Sequence, residues 1–266
     1  MLWYKAWLET RWRFVIGFSL LMLSAAATVL TYPAVMTLLL PGVTVEAPSP
    51  PGTSTLGPGG ELGRQIAEGA ALVRDYRSYI WSQWFRQTMR ELWALFAVLL
   101  GTGGLLAQAA GGGALFTLSL PVSRRRVLSV RAATVLAELA ILAMVPPLLL
   151  PLLSPGVGQS YSLADALVHG ACMFLAGSTL FSLAFLLSTV FSDLWRPPLI
   201  VLCVAVLMSL VRQIVGGSSS ASLLGIMTAE VYFRGGGLPW LGLLASVALS
   251  ALLLYAATRN IARQDF

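Results

Sequence analysis

The chain has 266 residues, of which 57% are hydrophobic and 11% are charged, and its mean hydropathy is +0.81. A soluble domain carries roughly 25% charged residues, so this composition excludes a soluble globular protein and predicts an all-α integral membrane protein. The net charge of +6 does not indicate nucleic acid, because in a membrane protein the positions of the cations matter more than their sum.

Six apolar runs are long enough to cross a bilayer, which takes about 20 helical residues. They predict six transmembrane helices, at 14–40, 90–110, 132–153, 163–190, 198–215 and 238–258. If the N-terminus is cytoplasmic, the short loops on the opposite side carry only Arg212 and Arg234. The positive-inside rule therefore predicts that both termini are cytoplasmic. The cations then placed inside are Lys5, Arg11, Arg13, Arg124, Arg125, Arg126, Arg131, Arg196, Arg259 and Arg263.

Residues 1–13 alternate tryptophans with charged side chains, which predicts a helix in the inner headgroup layer. The alternative for this segment is a frayed tail with a few basic anchors. Residues 42–88 form the one long loop, predicted to be extracytoplasmic, and 42–60 are rich in Pro, Gly, Ser and Thr. Within it, apolar residues at spacings of three, four and seven predict an amphipathic helix over 61–86 on the outer membrane surface. The alternative there is a soluble helix packed on its own loop.

Glu138 lies about two turns into the third apolar run, where an unpaired carboxylate costs on the order of 2–3 kcal/mol or more. Arg131 is seven residues earlier on the same face, and Arg196 follows the fourth run, so both are candidate partners. A functional interpretation makes Glu138 part of a gate or of a charge pair at the cytoplasmic helix ends. The structural alternative is a helix-packing anchor, and the sequence favours neither.

The single histidine, His169, follows Asp165 by four residues, so both lie on one face of the fourth run. A carboxylate and an imidazole can form a general base, but Ser162 to Asp165 also resembles a capping box, which favours a local hydrogen bond. Cys172 and Cys203 fit small apolar core residues. Lys5 is the only lysine and no P-loop motif is present, so the chain is not expected to be an ATPase or to hold a cofactor.

The segment 117–131 places an Arg-rich turn between the second and third runs. Pro121 suits a first helical position, and Arg124, Arg125 and Arg126 follow it within one turn. Three consecutive guanidinium groups point in three directions beside apolar side chains, which suits docking into a groove on a soluble partner. Ordinary positive-inside topology is the alternative explanation.

Four stretches together resemble ATP-binding cassette (ABC) type-2 exporter permeases: ALFTLSLPVSRRRVLSVRA, YIWSQWFRQ before the second run, the acid Glu138, and STVFSDLWRPPLI between the fourth and fifth runs. The resemblance implies a single permease domain over 1–266 in a bacterial inner membrane. It implies a dimer, usually of identical chains, above two separate ATPase subunits that hold ATP and Mg²⁺. A second cytoplasmic contact would use Asp193, Trp195 and Arg196. The coupling helix would be formed by Ser119, Leu120, Pro121, Val122, Ser123, Arg124, Arg125 and Arg126.

The few intramembrane charges favour a hydrophobic or amphipathic substrate, such as a lipid, a peptide or a drug. Two other classes of function stay open at this point. One is a secondary transporter or channel that is driven by an ion gradient through Glu138. The other, less supported, is an intramembrane enzyme that uses His169.

Overall fold

The computed structural model describes residues 2–39, 75–102, 124–191, 193, 195–215 and 222–262. Regular structure within these ranges is entirely helical. The longer helices are α1 (Leu2–Leu39), α2 (residues 76–101), α3 (Arg124–Leu153), α4 (Leu163–Val190), α5 (Arg196–Val215) and α8 (Trp240–Ala262). Two short helices, α6 (Leu223–Met227) and α7 (Glu230–Phe233), lie between α5 and α8, and a 3-10 turn at Ser154–Val157 ends α3.

Four helical stretches are long and apolar enough to cross a membrane: Leu2–Thr37, Arg125–Val157, Leu163–Val190 and Trp240–Ile261. The apolar part of α5, Arg196–Leu210, is shorter. The structure thus agrees with the predicted all-helical membrane protein, whereas the count of six spans and the orientation of the termini stay predictions.

The centre of the bundle is α4, which packs against α2, α3, α5, α6 and α8. Glycines allow this close packing: a Cβ atom on Gly177 would lie 2.2 Å from the Trp93 ring, and one on Gly170 would lie 2.7 Å from the Ala143 carbonyl oxygen. Small residues at such crossings are the usual means of bringing membrane helices together. Cys172 is buried here as predicted, but the prediction for Cys203 is wrong, because its side chain is exposed on α5.

The predicted interfacial helix over residues 1–13 is helical from Leu2 and continues into the first apolar run without a break. One face of it packs on α2 and α3, where Thr10 is 2% exposed. Its other faces expose Trp3 and Trp12. The frayed-tail alternative does not describe these residues, since interhelical packing holds the segment.

The part of the predicted helix 61–86 that the structure describes also differs from the expectation. Asp75 caps the N-terminus of α2, and the helix continues into the second apolar run as far as Gly101. Trp81, Trp84 and Phe85 are buried in the bundle rather than resting on a membrane surface. Residues 42–74 lie outside the described ranges.

The middle of α2, Trp81–Met89, is a π-helix. The Thr88 hydroxyl donates to the Gln83 carbonyl oxygen, five residues earlier, over 3.1 Å. Long π-helices are rare, and π turns occur frequently at functional sites. The π segment is therefore a candidate functional region on backbone geometry alone.

Candidate functional site

A buried polar cluster surrounds Glu138 on α3; we call it the Glu138 cluster. It comprises Glu9, Thr10 and Arg13 of α1, Leu99 and Thr102 at the C-terminal end of α2, and Arg131 and Glu138 of α3. The Thr10 hydroxyl donates to one carboxylate oxygen of Glu138 over 2.5 Å. The other oxygen, Oε2, is buried and has no hydrogen-bond partner among the described residues.

The partners of the two arginines differ from those that the sequence suggested. Arg131 forms its ion pair with Glu9, at 3.5 Å, and Arg196 pairs with Asp193, at 3.2 Å. The direct hydrogen bond of Glu138 is with Thr10 of α1, which is 128 positions earlier in the chain. Spacing along α3 alone did not reveal this contact.

The C-terminal end of α2 is held by two guanidinium groups. Arg13 donates to the Leu99 carbonyl oxygen over 2.7 Å, and Arg131 donates to the Thr102 carbonyl oxygen over 3.3 Å. The last carbonyl groups of a helix lack intrahelical partners and carry partial negative charge, so cations stabilise them. These contacts tie α1 and α3 to the last turn of α2, just before residues 103–123.

A second polar cluster, the Asp165 cluster, is formed by Arg77, Asp165 and Tyr232 at the opposite end of the bundle. The Asp165 carboxylate accepts from Arg77 Nε over 2.7 Å and from the Tyr232 hydroxyl over 2.8 Å. This hydrogen bond, more than burial, raises the pKa of the Tyr232 hydroxyl, because ionised tyrosine cannot donate to the carboxylate. The pKa of the Tyr161 hydroxyl is also raised, and there the main cause is burial.

His169 adjoins this cluster but is not oriented by its carboxylate. Its Nδ1 atom lies 2.7 Å from the backbone oxygen of Asp165, which is the local hydrogen bond that the sequence favoured. Its Nε2 atom is buried with no hydrogen-bond partner among the described residues, and its ring packs on Phe85 at 4.5 Å between centroids. Ser178, deeper on α4, shares a hydrogen bond with Ser250 of α8. The geometry therefore gives no support to the enzyme alternative.

The separation of the two clusters matches the thickness of a membrane. Thr10 belongs to the Glu138 cluster, while Tyr32 packs on Tyr76 at 4.8 Å, beside the Asp165 cluster. Thr10 and Tyr32 are twenty-two positions apart on α1, which is about 33 Å at 1.5 Å per residue. The hydrocarbon core of a bilayer is about 30 Å thick, so this spacing is compatible with one cluster near each of its faces.

A cavity of about 530 Å³ opens beside the π segment, between α2 and α5. Ser209 of α5 and Leu224 of α6 line its walls opposite α2. The side chains from α2 that line it, named below as the polar face of α2, are Ser82, Gln83, Arg86, Gln87, Arg90 and Glu91. This face was missed in the sequence because residues up to Arg86 were assigned to a surface helix, although glutamines and arginines recur there at spacings of three, four and seven.

Most of the predicted coupling residues, Ser119 to Ser123, lie outside the described ranges. Arg124 is the first residue of α3, and the Arg125 and Arg126 side chains that follow it are exposed. Arg125 also lines a cavity of about 380 Å³ with Tyr255, Thr258 and Arg259 of α8.

The predicted second contact is an exposed turn before α5, at the same end of the bundle as Arg125. The backbone nitrogen of Trp195 donates to the Asp193 carboxylate over 3.3 Å, and the Trp195 side chain is 70% exposed. The exposed indole and the Arg196–Asp193 pair leave this turn accessible to a partner.

Comparisons with protein-family models, with characterised proteins and with solved structures give no match to this chain.

Proposed function

We propose that the chain is the membrane-spanning permease subunit of an ABC exporter. In this proposal two copies form the translocation path, and separate ATPase subunits bind at the end that carries the Glu138 cluster. The observation that carries the proposal is the clamp on α2: Arg13 and Arg131 hold the helix end that precedes residues 103–123, and α3 begins directly after them. A force applied to the Arg-rich turn would therefore reach α2 and α3 together.

The distribution of charge supports binding of the ATPase at this end. Arg77 and Arg234, at the Asp165 end, each pair with a carboxylate over 2.7 Å. The opposite end exposes Arg11, Arg125, Arg126 and Arg259, consistent with a cytoplasmic face under the positive-inside rule. The recess lined by Arg125 and Arg259 would take acidic side chains of a soluble partner.

The polar face of α2 supports a dimer. Gln83, Arg86, Gln87 and Glu91 are exposed on the single chain, and Glu91 lies about midway along α2. Charged side chains at mid-membrane depth face a protein interior or a water-filled cavity, because exposing them to lipid costs several kcal/mol. A second copy that covers this face would enclose a polar path, consistent with a translocation path between two permease chains.

In the proposed mechanism, ATP binding closes the partner subunits and moves residues 118–126. The movement tilts α2 and α3, which opens the dimer to the outside for a hydrophobic or amphipathic substrate. ATP and Mg²⁺ stay on the partner, and this chain contributes the path and the coupling contact.

The proposal is tested by purifying the chain from its native host in mild detergent and assaying the eluate for ATPase activity. We expect a P-loop subunit to copurify with the wild-type chain and to be lost when Arg124, Arg125 and Arg126 are changed to alanine. The matched control, Arg11→Ala, removes an exposed arginine at the same end and should retain the partner. An eluate that lacks both the partner and ATPase activity would overturn the proposal.

One observation favours a second candidate, an ion-driven transporter: the buried Oε2 atom of Glu138 without a described partner, which is a possible proton site. Transport that persists after ATP depletion, stops when the ion gradient is collapsed, and is lost in Glu138→Gln would establish it. Transport that stops on ATP depletion alone would exclude it.

A further inference from the structure

The cavity beside the π segment presents hydrogen-bond donors to its interior. Two guanidinium groups, two side-chain amides and a hydroxyl line it from α2, and a second hydroxyl, Ser209, comes from α5. The carboxylate of Glu91 is 3.3 Å from Arg90 Nη2, so the acidic side chain among the described lining residues is already engaged by an arginine. The Arg86 guanidinium lies over the Trp81 ring at 5.6 Å, which fixes its stem while the residue stays exposed.

The cavity lies about midway between the Glu138 cluster and the Asp165 cluster. Arg90 lies eleven residues before the Gly101 end of α2, or roughly 17 Å at 1.5 Å per residue, which is about half the distance between the two clusters. An arginine at that depth is costly unless its charge is compensated. The described lining includes the exposed Arg86 guanidinium, beside which an anionic group could bind.

The π-helical geometry gathers these donors. Its hydrogen bonds run over five residues rather than four, so a π turn holds more residues than an α turn. Ser82, Gln83, Arg86 and Gln87 all fall on the cavity side of the segment Trp81–Met89. The opposite side of the same segment carries Trp84 and Phe85, which are fully buried in the core.

An apolar surface adjoins this polar group of donors. The neighbouring helix α5 exposes Val206, Leu207, Met208 and Leu210, and Leu224 closes one side of the cavity. A ligand that fits both surfaces has an anionic head and an apolar tail. We propose that the cavity binds the anionic headgroup of an amphiphile, with Arg86 as its main charge partner and the tail along α5. This inference rests on the proposed function and names the class of substrate that would use the path.

Binding is tested on the purified full chain, immobilised in nonionic detergent, with radiolabelled dodecyl phosphate as the probe. We expect saturable binding that is weakened about tenfold by Arg86→Gln, which removes a charge-assisted contact. Arg86→Lys, which keeps the cation, should restore much of the affinity, and the matched control Arg11→Gln should leave it unchanged. Size-exclusion profiles show whether each variant folds. If Arg86→Gln does not fold, Gln87→Glu takes its place, because the added carboxylate should repel the anionic headgroup and weaken binding.

Competing ligands separate the possible sources of the anion. Unlabelled dodecyl phosphate should compete, whereas dodecyltrimethylammonium, with the same tail and a cationic head, should not. Inorganic phosphate that competes as well as dodecyl phosphate would overturn the amphiphile assignment, and competition by the cation or unchanged binding by Arg86→Gln would overturn the site. The assay needs no ATPase, so binding without a copurifying ATPase would refute the permease proposal and retain the site. Copurification of the ATPase without saturable binding of dodecyl phosphate would refute the site and retain the permease proposal.

Discussion

At the scale of single residues, Glu138 shows how a carboxylate is accommodated between apolar helices. Its direct partner is a hydroxyl, Thr10, rather than a cation, and Arg131 beside it is engaged by Glu9 and by the end of α2. The sequence alone showed the carboxylate and the free-energy cost of placing it, unpaired, within an apolar run. It did not show the partner, because Thr10 lies 128 positions away and only packing of α1 on α3 brings the two together.

Replacing Thr10 by valine tests this contact. The valine keeps the shape but removes the donor to Glu138 Oε1, so neither carboxylate oxygen keeps a hydrogen-bond partner among the described residues and we expect a loss of about 1–2 kcal/mol of stability. The measurement is thermal unfolding in detergent, with Thr37→Val, an exposed site on the same helix, as control. An unchanged unfolding temperature would show that the hydroxyl is not what stabilises the carboxylate.

Arg13 gives a second test at this scale, because its guanidinium group bonds to the last carbonyls of α2. In Arg13→Gln the charge-assisted bonds are lost, and we expect backbone amides in the last turn of α2 to exchange hydrogen roughly tenfold faster. Hydrogen exchange followed by mass spectrometry measures this, with Arg11→Gln as the neighbouring control. Equal exchange in the two variants would remove the clamp from the coupling mechanism.

At the scale of helices, α2 departs most from expectation. Its apolar spacing over 76–86 correctly indicated a helix, but spacing does not say whether the apolar side rests on lipid or on protein. Trp81, Trp84 and Phe85 pack against other helices, and Trp81 donates to the Thr228 carbonyl oxygen over 3.0 Å. These partners come from distant parts of the chain, so the surface-helix prediction had no means of including them.

The crossing of α2 and α4 predicts a cost for the smallest change at Gly177. Alanine in place of glycine normally stabilises a helix by up to about 1 kcal/mol. Here the new methyl group would meet the Trp93 ring, so we expect a net loss of about 1–3 kcal/mol. Thermal unfolding measures it, and Gly156→Ala, where the Cβ atom would meet nothing within 4 Å, is the control. A gain in stability at Gly177 would mean that the ring moves aside freely.

At the scale of the whole molecule, the single chain leaves the polar face of α2 and the apolar surface of α5 uncovered. The apolar surface of α5 can remain in contact with lipid. The charged side chains on the polar face of α2 need contact with protein or water. This difference is why the dimer is proposed through α2. The ion pairs and hydrogen bonds within the single chain do not indicate which face contacts a second copy.

Cysteine cross-linking tests this arrangement in membranes. In a background of Cys172→Ala and Cys203→Ala, we expect Gln87→Cys on the polar face of α2 to cross-link two copies. Leu23→Cys, on an exposed apolar face of α1, is the matched control and should stay monomeric. Cross-linking at Leu23 and not at Gln87 would place the interface on α1 instead.

The sequence by itself determined the helical class, the approximate positions of the four helices long enough to cross a membrane and the identity of the costly charges, because apolar runs and isolated acids are properties of neighbouring residues. It also placed the local hydrogen bond of His169, which spans a single helical turn. Only the tertiary structure decided the partners of Glu138 and Arg131, the burial of Trp81, Trp84 and Phe85, and the polar cavity beside the π segment. Each of these depends on contacts between helices far apart in the chain, and their packing is set by complementary shapes that spacing along one helix does not encode.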